Sequence, residues 1–263
     1  MTERHQARIT GASGAELAGL VRGVFRSYAR YWCEFFRLPN EAKLDPAILN
    51  ARFTADGFQH IVAGVEAGKG VILALPHVGG WEFAGAWLAH QGYPPTVVAE
   101  RVRPPELYEF FVEQRTALGM TVIPLGSGAG DEVLAALRAN QVVCLLSDRD
   151  IKGDGISVEF FGERTTMPAG PAAMALRTGA ALIPAAVYFD GRYGHIAVID
   201  APLPVEREGR LRENVENLTQ ALAVRFEALI RAAPDEWHVL QPNWPSDREE
   251  HTDPGAAPVG MES

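Results

Sequence analysis

Hydrophobic positions along the chain fall into two rhythms. Leu17, Leu20, Val21, Val24, Tyr28, Tyr31, Trp32 and Phe35 recur at i, i+3 and i+4, which predicts a helix over Glu16 to Arg37, ended by Pro39. Short apolar runs with turn residues at their ends predict strands at Val71–Leu75, Thr96–Ala99, Thr121–Pro124, Gln141–Leu146, Ile156–Phe161, Ala181–Tyr188 and His195–Ile199. Helical patterns separate many of them: Gly57–Ala67, stopped by Gly68 to Gly70, then Trp81–Ala89, Pro105–Leu118, a segment capped by Asp131 and running to about Ala139, Pro171–Thr178 and Leu211–Arg231. This alternation predicts the α/β class: a single domain with a central mixed β-sheet covered by helices on both faces. The domain is expected over residues 15–244. Residues 1–14 are polar, and 245–263 are rich in charge, proline and glycine. Both ends read as disordered.

Composition narrows the function. A chain of 263 residues buries one substantial core. A formal net charge of -9 excludes the basic footprint that nucleic acid needs, so an anionic ligand must be met by a local group of arginines. Two cysteines supply neither a disulfide framework nor a metal site, and Cys144, inside an apolar run, reads as a buried thiol of a reducing compartment. Met1 to Thr10 is polar and lacks a signal-peptide pattern. No apolar run approaches the roughly 20 residues of a membrane span, so membrane contact is expected at the surface only. The polar side of the Glu16–Arg37 helix carries Arg22, Arg26 and Arg30, either as a solvated basic face or as one resting on anionic lipid.

The chemistry concentrates at Leu75-Pro76-His77-Val78-Gly79-Gly80-Trp81-Glu82, where a buried strand turns into a helix. Such strand ends are where α/β proteins bind ligands. His77 is the natural general base, with Glu82 expected to hold one ring nitrogen or to sit in the first helical turn favouring its dipole. The amides of Val78 to Gly80 either hold an oxyanion or simply make the turn. There is no Gly-x-Ser-x-Gly elbow and no cysteine on this turn, so direct attack by an acceptor hydroxyl is expected. Asp148-Arg149-Asp150 follows another buried strand and reads as a cap or part of a site. No second cluster completes a metal shell, and no metal is expected. Glu100, Arg101, Arg103 and Arg115 lie near strand ends. With Arg149, Lys152 and Arg164 they form a group able to receive the phosphates of an anionic donor. Phe160 to Pro171 reads as a turn and helix start, or as a wall for an acyl chain. Trp237 to Trp244 reads as a packing element or a lipid-facing rim.

Pro76-His77-x4-Glu82 resembles the His-x4-Asp/Glu motif of bacterial lysophospholipid and lipid A acyltransferases. Val98-Ala99-Glu100-Arg101, Asp148-Arg149-Asp150, Phe160-Phe161-Gly162-Glu163, Met167-Pro168-x-Gly170-Pro171-Ala172 and Trp237-His238-x-Leu240-Gln241-Pro242-x-Trp244 bring the chain closer to the actinobacterial phosphatidylinositol mannoside acyltransferases. The resemblance runs from about Tyr28 to Trp244. It implies a glycerolipid acyltransferase-like fold and transfer of a fatty acyl group, typically palmitoyl, from acyl-CoA to the 6-hydroxyl of a mannose on phosphatidylinositol mannoside. It implies His77 as catalytic base and Glu82 as its acidic partner. Glu100, Arg115, Asp148, Arg149 and Arg164 are then the substrate-binding group. Acyl-CoA is a co-substrate, and no metal or cofactor is implied. The implied workplace is the cytoplasmic face of the plasma membrane, held peripherally. Three features depart from the family pattern. Its chains usually begin several dozen residues earlier with a hydrophobic helical segment, its motif acid is commonly aspartate, and glutamate is often found at the position of Asp148.

Two other readings fit the residues. One is an acyltransferase for a lysolipid or a lipid A-type acceptor. The other is a catalytically silent acyl-CoA- or lipid-binding protein. A hydrolase is the weakest, because an acyl-transfer groove must exclude water.

Overall fold

The computed structural model describes residues 1–42, 46–205 and 207–249. Helices α1 (Thr2–Thr10), α2 (Gly14–Ala42) and α3 (Pro46–Ala51) precede the first strand, β1 (Phe53–Asp56). There follow α4 (Phe58–Glu66), β2 (Val71–Leu75), α5 (Trp81–His90), β3 (Thr96–Ala99), α6 (Pro105–Ala117), β4 (Thr121–Pro124), α7 (Ala129–Arg138) and β5 (Val142–Leu146). A hairpin of β6 (Ile156–Phe160) and β7 (Glu163–Met167) interrupts the alternation. The chain resumes with α8 (Gly170–Thr178), β8 (Ala181–Asp190), β9 (Gly194–Ile199) and α9 (Leu211–Ala232). A 3-10 turn at Pro234–Glu236 and a short α10 (Ser246–Glu249) follow.

Seven strands form one mixed sheet in the order β1-β9-β8-β2-β5-β3-β4, parallel throughout except for the antiparallel pair β8–β9. Strand β2 lies at its centre and is buried along its whole length. Its side chains alternate between the faces, as strand geometry requires. Ile72 and Ala74 join one core with residues of α7, α8 and α9, while Val71, Leu73 and Leu75 join a second with residues of α5. The result is the expected single α/β domain with helices on both faces of a mixed sheet.

Several sequence expectations change. The N-terminal segment is ordered rather than disordered. Residues His5, Gln6 and Ile9 of α1 are buried, and a left-handed Gly11 ends the helix. The polar composition of this segment hid them, because two of the three inward side chains are themselves polar and bond distant partners. His5 bonds the carbonyl of Val239 and the carboxylate of Asp247 at 3.0 Å each, and Gln6 donates to the carbonyl of Pro234 at 2.7 Å. The expected disordered tail is corrected in the same way from 245 to 249, where α10 carries the buried Asp247. Residues 250–263 lie outside the described residues. Helix α2 continues past Pro39 to Ala42, since a proline removes only one ladder hydrogen bond near a helix end. Asp131 sits within the first turn of α7 and does not cap it. Gly128 holds that position with φ 97°. The Phe160–Pro171 segment contains β7, and Phe160 and Met167 pack into the sheet core rather than line an acyl-chain cavity.

Candidate active site

The turn after β2 is built by backbone bonds. Val78 N–H donates to Pro76 O at 2.8 Å, Gly79 N–H to Glu236 O at 3.0 Å and Gly80 N–H to Val187 O at 3.0 Å. All three amides are thereby occupied, so they make the turn and do not form the oxyanion hole that the sequence suggested. Gly79 is required here. Its φ is +60°, and an added Cβ would lie 2.0 Å from Val187 O.

The turn presents His77 to Asp148. Nδ1 of His77 lies 2.5 Å from Oδ1, and the His77 backbone N–H donates to Oδ2 at 2.9 Å. Trp237 Nε1 donates to the same Oδ2 at 2.7 Å. Asp148 is fully buried, whereas the His77 side chain retains 24% exposure, so the imidazole faces the surface and its partner does not. Burial alone pushes the Asp148 carboxyl up. The His77 imidazole and the three donors more than reverse this, and the group lies below its ordinary value. An ionised Asp148 accepts a hydrogen bond from Nδ1–H, which keeps the proton on Nδ1 and leaves Nε2 of His77 as the basic nitrogen.

Glu82 does not hold the imidazole ring. Its carboxylate faces α6, where Arg115 donates from Nη2 at 2.5 Å and from Nε at 3.1 and 3.2 Å, and the Tyr31 hydroxyl donates at 3.2 Å. The reason is sheet register. Strand β2 pairs with β5 so that Leu75 stands beside Leu146, and Ser147 N–H continues the ladder to Leu75 O at 2.9 Å. Two residues beyond each partner stand His77 and Asp148. Glu82 instead lies in the first turn of α5 at 4% exposure. Burial opposes the Arg115 charge, but Glu82 more than compensates and holds the guanidinium above its usual range. Burial, and then Glu82, raise the Tyr31 hydroxyl well above its ordinary value.

The other expected site residues divide. Arg149 lines a pocket of about 140 Å³ with His77, Trp81, Tyr31 and His238, and reaches Glu100 at 3.9 Å on the partly exposed rim. Arg164 stands apart on β7, in a different polar pocket with Asp150 and Arg248. Trp237 and His238 were visible in the sequence only as part of an aromatic run. His238 N–H donates to His77 O at 2.8 Å, and its ring lies against Tyr28, Tyr31 and Trp81. Burial, with His77 adding to it, lowers the His238 imidazole to about 3 and keeps it neutral.

Trp81 also lines an apolar cavity of about 100 Å³ between the sheet and α5, walled by Leu75, Trp87, Val97, Met120, Cys144 and Leu146 among others. Burial pushes the Cys144 thiol up to about 12, so it acts as a wall and not as a nucleophile. No helix among the described residues is long and apolar enough to cross a membrane.

Residues 10–246 match the family model described as bacterial lipid A biosynthesis acyltransferase. The phosphatidylinositol mannoside acyltransferase of Mycolicibacterium smegmatis is 43% identical over 248 residues, 93% of this chain and 79% of that protein. The protein of the same name from Mycobacterium tuberculosis strain H37Rv is 42% identical over 253 residues, 94% of this chain and 77% of its own length. With nearly the whole described domain matched, the chain belongs to the bacterial lipid A biosynthesis acyltransferase family.

Proposed function

We propose that this acyltransferase of glycolipid biosynthesis moves a fatty acyl group, palmitoyl in the first instance, from acyl-CoA to a mannose hydroxyl of phosphatidylinositol mannoside. The observation that carries the reading is a buried carboxylate orienting a partly exposed imidazole, whose pocket shares Trp81 with an apolar cavity. Nε2 of His77 takes the proton of the acceptor hydroxyl while Asp148 stabilises the imidazolium that forms. The oxygen attacks the thioester carbonyl, the C–O bond forms, and the C–S bond breaks. The departing thiolate receives the proton from His77. Charge developing beside the turn is favoured by the positive end of α5. The cavity beneath Trp81 suits the acyl chain, since it is apolar and bounded by the strand ends that carry His77 and Asp148.

Arg149 and Glu100 are assigned to the acceptor at the rim, and Arg164 to phosphates of the donor. Arg115, Glu82 and Tyr31 form a brace beneath the site. Acyl-CoA serves as co-substrate without a further cofactor. Peripheral docking is assigned to the cytoplasmic face of the plasma membrane; contact with a membrane surface is supported by Phe25, about half exposed on α2 between Arg22 and Arg26, and by Phe36, equally exposed further along the helix. The test is transfer of labelled palmitate from its coenzyme A ester to phosphatidylinositol mannoside, with lysolipid and lipid A-type acceptors in parallel. Transfer to the mannoside alone supports the reading. Transfer only to another acceptor, or donor binding without turnover, replaces it.

A further inference from the structure

Strand β8 runs on to Asp190, while β2, its parallel neighbour, ends at Leu75. Beyond that end the two segments keep one bridge, between Gly79 and Val187, where the Gly80 N–H donates to Val187 O at 3.0 Å. The next donor along this edge of β8 is the Phe189 N–H, and a continued parallel strand would offer it the Gly80 carbonyl. That carbonyl is spent on the first turn of α5, accepting from Phe83 and Ala84 at 3.1 and 3.4 Å. A backbone N–H left without an acceptor in the interior is costly.

Glu236 fills the gap. Its Oε2 accepts from the Phe189 N–H at 2.9 Å, and its own carbonyl accepts from the Gly79 N–H at 3.0 Å. One residue thereby ties the end of β8 to the turn that carries His77. The carboxyl group lies directly against that turn, since an added Cβ on Gly79 would stand 2.8 Å from Oε2. Burial, aided by the carboxylates of Asp235 and Glu34, pushes the Glu236 carboxyl up to about 7, against the Phe189 bond and Arg30. An uncharged form is thus accessible near neutral pH, and the bridge needs only an accepting oxygen.

The bridge is anchored behind. Gln6 of α1 donates to Pro234 O at 2.7 Å, and α2 packs so closely on the 3-10 turn that a Cβ on Gly23 would collide with the Asp235 carboxylate. Trp237 and His238 come next, one donating to Asp148 and the other to the His77 carbonyl. Three consecutive residues therefore hold the turn, the buried carboxylate and the backbone of His77.

We infer that Glu236 is a positioning residue for acyl transfer, its carboxyl group fixing the His77 turn against β8 so that the imidazole stands where the acceptor hydroxyl is deprotonated. The inference rests on the reading of His77 as the base. It acts through the turn, and a small misplacement of a reacting group is expensive in rate.

Transfer of palmitoyl from its coenzyme A ester to phosphatidylinositol mannoside is compared for the full chain and its Glu236→Gln, Glu236→Leu, Glu236→Asp and His77→Ala variants. Leucine has no acceptor, and aspartate is one methylene too short to reach the Phe189 N–H. Both lose kcat by roughly 10²-fold, with KM for either substrate within about twofold of the wild type. Glutamine keeps the accepting oxygen and restores kcat to within about threefold. Hydrogen exchange at the Gly79 and Gly80 amides reads the same bridge without any substrate. It quickens about tenfold in Glu236→Leu and Glu236→Asp and stays at the wild-type rate in Glu236→Gln. Where Glu236→Leu fails to fold, Glu236→Asp carries the comparison. Full activity of His77→Ala would end the reading of His77 as the base and this inference with it. An inactive His77→Ala beside a wild-type kcat in Glu236→Asp overturns this inference alone, as do unchanged exchange rates or a Glu236→Gln protein as impaired as Glu236→Asp.

Discussion

The imidazole of His77 and the carboxylate of Asp148 meet at 2.5 Å although 71 residues separate them in the chain. Asp148 in turn holds the indole N–H of Trp237, a further 89 residues away. Replacing His77 with alanine therefore abolishes acyl transfer while the circular dichroism spectrum stays native. Asp148→Asn leaves a side chain of the same shape but removes the charge that supports the imidazolium. Its kcat falls by roughly 10²–10⁴. Trp237→Phe costs less, because two donors to Asp148 remain. Wild-type turnover by purified Asp148→Asn would sink the dyad.

Acid stability carries the same signature. Asp148 and Asp247 both lie below the ordinary carboxylate value of 3.8, held there against burial by their hydrogen bonds and neighbouring charges. A carboxyl depressed in the folded state stabilises the protein at pH above its unfolded value, and that stabilisation is lost as pH falls through the folded one. The Tm is expected to drop on acidification below about pH 4. Asp148→Asn, which has no such proton to take up, shows a shallower fall in the same titration.

The pair of Glu82 and Arg115 is tested by stability rather than chemistry. Their side chains are 5% and 17% exposed. Removing Arg115 alone leaves a carboxylate uncompensated in the interior, at a cost of about 3–5 kcal/mol in chemical denaturation. Replacing both residues with methionine recovers much of that loss. An Arg115→Met protein as stable as the wild type would show that the pair carries little of the fold.

Chain-length preference tests the cavity. Ala84 on α5 lines it, and Ala84→Leu fills part of its volume. Displacing the last two methylenes of a long chain costs about 0.8 kcal/mol each, or roughly tenfold in all. The ratio of kcat/KM for hexadecanoyl-CoA over octanoyl-CoA falls accordingly. An unchanged ratio would put the acyl chain elsewhere.

Helix α1 makes a separate prediction. His5→Ala removes bonds to Val239 and Asp247 and leaves the Asp247 carboxylate buried with fewer partners. Stability falls by about 1–3 kcal/mol, read from a denaturant midpoint. A change within a few tenths would mean that α1 adds nothing to the fold.

The sequence by itself determined the class of fold and the place of the turn that carries His77. Val71–Leu75, Thr96–Ala99 and Thr121–Pro124 are strands with the bounds their apolar runs predict, and Pro105–Ala117 differs from its expected helix by one residue. These are local properties, set by periodicity and by turn residues such as Gly79. The site's wiring was not local. A carboxylate five residues from His77 looked like its partner, but the helix that begins at Trp81 carries Glu82 toward Arg115. The parallel register of β2 and β5 brings Asp148 in its place. The same holds for His5 and Asp247, whose polar character concealed their burial until each supplied the other's hydrogen bond. Spacing along a chain reports which side chains share a strand or helix face. Only the pairing of distant segments, which depends on how both cores fill, decides which charged groups touch.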